Sequence, residues 1–414
     1  MNDEKKNGHH FLRAFTLIAA LLICGNSHLA LGGGWTWQNP LLKGGTLHGD
    51  SGSLGSNVLP VGNLGTIPYL PSLAVNLEVY LPLISKNFNP NAVQLPRTGQ
   101  TTCYDTAGAV ISCAGTGQDG EIQAGVIWPD PRFAVSGDCV TDKLTGVMWS
   151  KNGNPDGSLT WQGALDYVAS INSGAGLCGY HDWRLPNVNE LESLVNAGMQ
   201  DSAAWLNTQG FYNVTGPYWS STSFTFHPYN AWNVSVDGVL FNYWNKTSSY
   251  SRTWPVRGAT TPPARLWKTG QTACYNTVGT IIPCAGTGQD GEIQAGVTWP
   301  DPRFTVSGEC VTDQLTGLMW SKNGNLPAGH LNWQGALYYI AAINSGAGLC
   351  GYHDWRLPNR KELRSLIDFS QYSPALPLNH PFNYVQSPYY YWSSTTRRLP
   401  YTNFAWIVES LEGC

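Results

Sequence analysis

The sequence predicts two tandem domains of the α+β class, and a duplication, a mixture of helix and strand patterns and the composition all point to it. A segment that begins at Thr98 returns nearly letter for letter from Thr269, which indicates a tandem copy of one unit. Each copy contains one-faced helical stripes followed by strand-like runs. A charged fraction of 12% with 46 glycines favours short strands and many turns. The repeat is far longer than a solenoid unit, so each copy is expected to fold as a self-contained domain.

The N-terminus is predicted to be an export signal. Lys5, Lys6 and Arg13 precede an apolar run at 14–24, and small residues suitable for cleavage follow near Gly32. The run is too short for a transmembrane anchor, so we expect a secreted or cell-surface protein. The predicted division is a signal peptide at 1–32, a Gly/Pro-rich spacer with short strands at 33–94, copy 1 at 95–258, a linker at 259–265 and copy 2 at 266–414.

The two copies differ at their ends. Copy 1 continues well past Trp232 to the string "WPVRG", whereas copy 2 ends soon after Trp406. Copy 2 is therefore predicted to lack its closing strand. We expect either that copy 2 is less stable than copy 1, or that the chain is a fragment or carries a frameshift.

The cysteines follow the repeat and predict two disulfides in each copy. Copy 1 holds Cys103, Cys113, Cys139 and Cys178, and copy 2 holds Cys274, Cys284, Cys310 and Cys350. Four cysteines allow three connectivities, but "CYDTAGAVISC" is typical of a strand, a turn and a strand, which favours Cys103–Cys113 and Cys139–Cys178. No C-x-x-C pair or suitably spaced histidine suggests zinc, so no metal and no cofactor is expected.

Two helices are predicted in each copy. In copy 1 the first begins after Thr160 and presents an apolar stripe from Trp161 to Ile171. The second begins after Asn187, with Glu190 placed for a capping box. Copy 2 repeats the scheme, with its two helices predicted to begin after Asn332 and Asn359.

The string "CGYHDWRLPN" occurs in both copies and is interpreted as structural. It places His181, Asp182, Trp183 and Arg184 in copy 1, and His353, Asp354, Trp355 and Arg356 in copy 2. Neighbouring residues of an extended segment point to opposite faces, which argues against a His–Asp acid–base pair. Arg184 is a natural partner for a carboxylate. The string "GQDGEIQAG", with Asp119 and Glu121, is predicted to be a solvated turn rather than a calcium loop.

Several strings in a fixed order resemble the Lcl C-terminal domain family of bacterial exported proteins: "LTGLMW", "WQGAL", "CGYHDWRLPNRKEL" and "WSSTT". The resemblance covers 98–258 and 269–414. It implies a fold related to C-type lectins and formylglycine-generating enzymes, with two helices and a twisted antiparallel sheet. It also implies kinship with a surface adhesin that binds sulfated glycosaminoglycans, although the net charge of −4 does not suit a polysulfated ligand.

We therefore expect a non-catalytic exported binding or adhesion protein that recognises carbohydrate or another surface ligand, including a protein. The predicted binding residues are Trp232, Asn233, Tyr243, Trp244 and Tyr250. Two alternatives remain: an enzyme of the formylglycine-type fold that uses His181, His353 or nearby acids, and a structural spacer of the envelope. The charge balance and the lack of a basic run argue against nucleic acid as a partner.

Overall fold

The computed structural model describes residues 79–80, 83–86, 92–236, 240–258, 262–327, 329–385, 390–397 and 402–409. The predicted signal peptide, most of the predicted spacer and the last five residues lie outside them. Within the described part of the chain, no helix has the length and apolar character needed to cross a bilayer.

The elements up to the end of copy 1 are thirteen short strands and four helices, counted over the described residues. The strands are β1 (Val79–Tyr80), β2 (Ile84–Lys86), β3 (Cys103–Tyr104), β4 (Val110–Ile111), β5 (Phe133–Ser136), β6 (Cys139–Asp142), β7 (Val147–Ser150), β8 (Ser158–Leu159), β9 (Pro217–Ser223), β10 (Asn230–Ser235), β11 (Leu240–Asn245), β12 (Ser251–Arg252) and β13 (Val256–Gly258). The helices are α1 (Asp119–Ile122), α2 (Trp161–Ser173), α3 (Val188–Ser193) and α4 (Ser202–Thr208).

Copy 2 repeats much of this order. Its strands are β14 (Cys274–Tyr275), β15 (Ile281–Ile282), β16 (Phe304–Ser307), β17 (Cys310–Asp313), β18 (Leu318–Ser321), β19 (Tyr390–Thr396) and β20 (Ala405–Glu409). Its helices are α5 (Asp290–Ile293), α6 (Trp333–Ser345) and α7 (Arg360–Ser365). The chain is mixed α and β and contains two repeated regions, as predicted.

The predicted helices begin where their capping residues stand. The Thr160 hydroxyl accepts a hydrogen bond from the Gly163 amide at the start of α2, and its face from Trp161 to Val168 is buried. The predicted capping box starts α3, where Asn187 and Glu190 each accept the other's backbone amide. Copy 2 has the same box at the start of α7. Local chemistry therefore decides where these helices begin.

Residues 132–258 of copy 1 form two sheets over a core rich in aromatic rings. One has the order β13-β7-β6-β5, and the other has the order β11-β10-β9-β12-β8. Trp149, Phe211, Tyr218 and Trp254 pack together, with ring centroids 4.9 to 5.2 Å from that of Trp254.

The closing strand of copy 2 comes from the segment that precedes copy 1, which corrects the prediction that copy 2 lacks this strand. β2 pairs antiparallel with β18, as β13 pairs with β7. Ile84 exchanges backbone hydrogen bonds of 3.1 and 2.9 Å with Arg356, and Val256 makes the equivalent pair with Arg184. β1 completes the likeness by pairing with β19. Leu83 and Ile84 are fully buried, so this part of the predicted spacer belongs to the fold.

The two copies also exchange their N-terminal segments. We call these segments heads and the remainder of each copy a body. Head 1 is 98–126 and head 2 is 269–297; each contains a disulfide-linked hairpin and a one-turn helix. Body 1 is 132–258 and body 2 is 303–409. Each head packs against the body of the other copy: head 1 contacts body 2, and head 2 contacts body 1.

The exchange is reciprocal and uses matching contacts. In head 1, Gln100 donates to the Thr396 carbonyl of body 2 at 2.9 Å. In head 2, Gln271 donates to the Ser223 carbonyl of body 1 at 2.9 Å. The base of head 1 stays with body 1, because the Thr98 carbonyl accepts the Ala197 amide at 2.8 Å. The predicted boundaries at 95–258 and 266–414 follow the sequence repeat, whereas the packing makes 77–414 one compact unit.

The bodies also meet through a charged contact between α3 and α7. Arg360 lies 3.5 Å from Glu192 across the contact, and both side chains are buried. Lys361 and Arg364 are buried beside them. Burial lowers the pKa of Lys361 to about 8, while the Glu192 carboxylate opposes the shift.

We predict that Ile84→Ala loosens copy 2 although residue 84 lies outside that copy's sequence. Loss of a fully buried isoleucine costs about 2 to 4 kcal/mol of unfolding free energy. Hydrogen exchange should show faster exchange of the β18 amides, while β7 keeps its protection. Val256→Ala is the matched control, and it should affect β7 instead. Unchanged β18 protection in Ile84→Ala would contradict the pairing.

Candidate functional site

The duplicated string "CGYHDWRLPN" is occupied by structural contacts in copy 1. Arg184 pairs with Glu190 of the capping box, and Trp183 is buried. Asp182 accepts hydrogen bonds of 2.7 and 3.1 Å from Arg257, whose guanidinium lies 3.7 Å from the centroid of the Tyr180 ring. The hydrogen bond from Arg257 lowers the pKa of Asp182.

His181 is held separately from Asp182. Its Nδ1 lies 2.9 Å from the Asn172 carbonyl oxygen. His353 repeats this contact in copy 2, 3.0 Å from the Asn344 carbonyl. There too Arg356 pairs with Glu362, and Trp355 is buried. In copy 1, His181 and the neighbouring Asp182 therefore have separate partners.

All eight cysteines of the repeats form the four disulfides that the spacing favoured: Cys103–Cys113, Cys139–Cys178, Cys274–Cys284 and Cys310–Cys350. The first and third close the hairpins of the heads. The other two tie a sheet strand to the duplicated string. Four disulfides are typical of a protein exported to an oxidising compartment.

Three of the five predicted binding residues lie in the core, which corrects their assignment to a binding surface. Trp232, Asn233 and Tyr243 are each no more than 3% exposed. The Trp232 ring packs edge to face against Phe369 of copy 2, with centroids 5.6 Å apart. The alternation of aromatic residues in this part of copy 1 therefore marks sheet packing. Sequence periodicity does not distinguish the two faces of a sheet that is covered on both.

The other two predicted residues form a surface pair. Tyr250 is 65% exposed, and its ring centroid lies 5.4 Å from that of the half-buried Trp244. This pair offers an aromatic edge at the surface.

A more enclosed aromatic cleft lies where head 1 meets body 2, and the sequence had not pointed to it. The cavity measures about 330 Å³. Asp105 and Thr106 line it from head 1, and Trp333, Trp392, Thr396 and Phe404 line it from body 2. Amide side chains of Asn332, Gln334 and Asn403 reach the same space. The two tryptophans belong to repeated strings, but only the exchange of heads brings residues near 105 to them.

The equivalent place in copy 1 is filled by a lysine. The Nζ of Lys246 lies 4.0 Å from the centroid of Trp161 and donates to Ser223 Oγ at 2.8 Å. Burial lowers the pKa of Lys246 to about 7, while the ring faces favour the charged form. Among the described residues, Lys246 covers Trp161 in copy 1, and a cleft lies beside Trp333 in copy 2.

Another cavity, of about 360 Å³, lies beside Arg97, Gln123, Arg356 and Glu362. Its charged groups already have partners, because Arg356 pairs with Glu362 and Arg97 donates to Gln123 at 3.1 Å. We therefore take the aromatic cleft as the candidate site. Across the described residues, no three His, Cys, Asp or Glu side chains are grouped to hold a metal ion.

The predicted solvated turn in each head instead contains a buried carboxyl group. Asp119 accepts hydrogen bonds of 2.6 Å from Thr98 and 2.8 Å from Thr395 of body 2. Asp290 makes the matching contacts with Thr269 and Thr222, both at 2.7 Å. Both aspartates are 1% exposed, which corrects the expectation of a solvated turn.

These two carboxyl groups have raised pKa values. Burial raises the pKa of Asp119 and of Asp290 from 3.8 to about 6, and the threonine hydroxyls only partly oppose it. A pKa near 6 is typical of a catalytic acid. Because both groups are buried and bond across the contact between copies, we assign them to packing.

We predict that the two buried aspartates make the fold more stable as the pH falls from about 6 towards 4. In that window the folded state binds more protons than the unfolded state, so each group's stabilising effect is lost as the pH rises through its folded pKa. The change is about 2 kcal/mol per carboxyl group. Chemical denaturation of the double variant Asp119→Asn, Asp290→Asn should show a flatter profile from pH 4 to 7. The exposed Asp138→Asn control should follow the wild-type profile, and a double variant that also follows it would contradict this account.

Comparison with known proteins agrees with the repeat. The family model described as the Lcl C-terminal domain matches residues 138–257 and 309–413. The two matched segments correspond to body 1 and body 2 and together cover more than half of the chain. No curated protein matches the chain. With two family segments in tandem, the chain belongs to the Lcl C-terminal domain family.

Proposed function

We propose that this protein is a non-catalytic, exported binding or adhesion protein, and that it recognises carbohydrate or another surface ligand through the aromatic cleft of copy 2. The main support is the lining of that cleft. Trp333, Trp392 and Phe404 supply apolar ring surface, and neighbouring amide and hydroxyl groups supply hydrogen bonds. Small-molecule sites commonly combine apolar walls with a few placed polar groups.

The position of the cleft adds to this support. It lies between a head and a body, and Phe404 is 56% exposed at its edge. A ring in that position can stack on a ligand without leaving the core. The four disulfides fit a protein that works outside the cytoplasm.

The enzyme alternative receives less support from the geometry. It requires His181 or His353 to act with a nearby acid. Both rings instead face a backbone carbonyl, and Asp182 is engaged by Arg257.

The test is binding of the full oxidised chain to an array of neutral, acidic and sulfated glycans and to surface proteins. We predict that Phe404→Ala weakens binding about five-fold, since an aromatic contact contributes about 1 kcal/mol. Tyr338→Ala is the matched control because Tyr338 is 68% exposed and lies outside the cleft lining.

A third variant separates the two aromatic surfaces. Tyr250→Ala alters the surface pair of copy 1 and should leave binding unchanged. Binding that is lost in Tyr250→Ala and kept in Phe404→Ala would move the site to copy 1. Absence of any ligand for the wild-type chain would instead favour the spacer alternative.

A further inference from the structure

The buried lysine of copy 1 occupies a ready-made site for an ammonium group. Lys246 Nζ lies over the face of Trp161 and 5.7 Å from the centroid of Tyr275. It donates to Ser223 Oγ at 2.8 Å and lies 3.4 Å from the Tyr275 carbonyl oxygen. A ring face, a hydroxyl and a carbonyl are the groups that stabilise a desolvated alkylammonium.

The tryptophan of this site has a counterpart in copy 2. Trp161 and Trp333 each stand first in a helix of the same length. The indole N–H of Trp161 donates to the Ser220 carbonyl at 2.8 Å, and that of Trp333 donates to the Ser393 carbonyl at 2.9 Å. The two rings are therefore held at the same place in their bodies.

The hydroxyl also has a counterpart, as does the tyrosine of the head. The Ser223 amide donates to Gln271 at 2.8 Å, and the Thr396 amide donates to Gln100 at 2.9 Å. Tyr275 corresponds to Tyr104, because the amide of each donates to a glutamine of its own head. Copy 2 thus presents the corresponding ring and a hydroxyl, and the oxygen of that hydroxyl also accepts the Gln100 side-chain amide at 2.8 Å.

Copy 2 differs from copy 1 in two respects that favour an external cation. Its site is an open cavity, and Trp333 is half-buried whereas Trp161 is fully buried. In addition, head 1 places Asp105 at the cleft of body 2, whereas head 2 carries Asn276 at the corresponding position. Oδ1 of each residue accepts two turn amides, of Ala107 and Ala109 in one case and of Val278 and Thr280 in the other. The aspartate therefore adds a carboxylate to the cleft, while the hydrogen bonds of the turn stay the same as those made by the asparagine.

We propose that the cleft of copy 2 binds a primary ammonium group, which lies on the face of Trp333 between the Thr396 hydroxyl and the Asp105 carboxylate. The shared chemistry is a primary amine on a ligand that fits about 330 Å³, which a lysine side chain or an amino sugar can carry. This inference rests on the proposed function and specifies the ligand class of the same site.

The first experiment measures binding of small probes to the full oxidised chain by isothermal titration calorimetry at neutral pH. One pair of probes is Nα-acetyl-lysine amide and its Nε-acetylated form, and the other pair is glucosamine and N-acetylglucosamine. In each pair the free amine should bind about ten-fold more tightly, because acetylation removes the charge. The stronger of the two amines identifies the source of the group.

Two variants, Asp105→Asn and Lys246→Ala, test where on the protein the amine binds. Asp105→Asn gives head 1 the asparagine that head 2 has at Asn276, so it should weaken amine binding about five-fold and leave the melting temperature unchanged. Lys246→Ala opens the equivalent site in copy 1. It should lower the melting temperature, n-propylammonium should restore it, and the number of bound amines should rise from one to two.

The outcomes separate this inference from the proposed function. Equal binding of free and acetylated probes, or an unchanged affinity in Asp105→Asn, overturns the ammonium site. A glycan or protein ligand that still depends on Phe404 would then leave the proposed function standing. If the probes show no preference for the free amine and ligand binding does not depend on Phe404, both proposals are overturned.

Discussion

The fold depends on the reciprocal exchange of heads between the two copies. The side-chain amides of Gln100 and Gln271 each donate to and accept from the main chain of one strand residue in the opposite body, and each head is stiffened by its own disulfide. Behind each glutamine, a buried aspartate bonds a threonine of its own head and a threonine of the other body. An unpaired polar group at these positions would be costly in a dry contact. Neither body can therefore be completed without the other copy.

The exchange also explains how copy 2 is completed. Body 2 takes its edge strand β2 and head 1 from the segment that precedes body 1, whereas body 1 takes head 2 from the segment that follows it. Closing the structure with an early strand converts a linear repeat into one cooperative unit, because the loss of either junction exposes both bodies.

The copies are alike in fold but have diverged where they meet. At the contact of α3 with α7, Glu192 faces Arg360, with Lys361 and Arg364 beside it. Two identical helices would place like charges together in a buried contact, which is strongly unfavourable. The difference in charge therefore favours pairing of copy 1 with copy 2 over pairing of like copies. The cleft diverged in the same way, with Lys246 covering one site while the other stays open.

The sequence by itself determined the local and repeated features of this protein. The duplication, the four disulfides and the helix caps at Thr160 and Asn187 all depend on short-range chemistry or on letters that recur. Tertiary structure alone decided the partners of the heads, the source of the closing strand and the position of the cleft. Ile84 and Val256 fill equivalent positions in unlike strings, since a sheet edge requires buried apolar residues and free backbone groups rather than a particular sequence. Burial likewise placed Trp232 in the core and brought Asp105 to Trp333, because long-range packing fixes which side of a strand meets which neighbour.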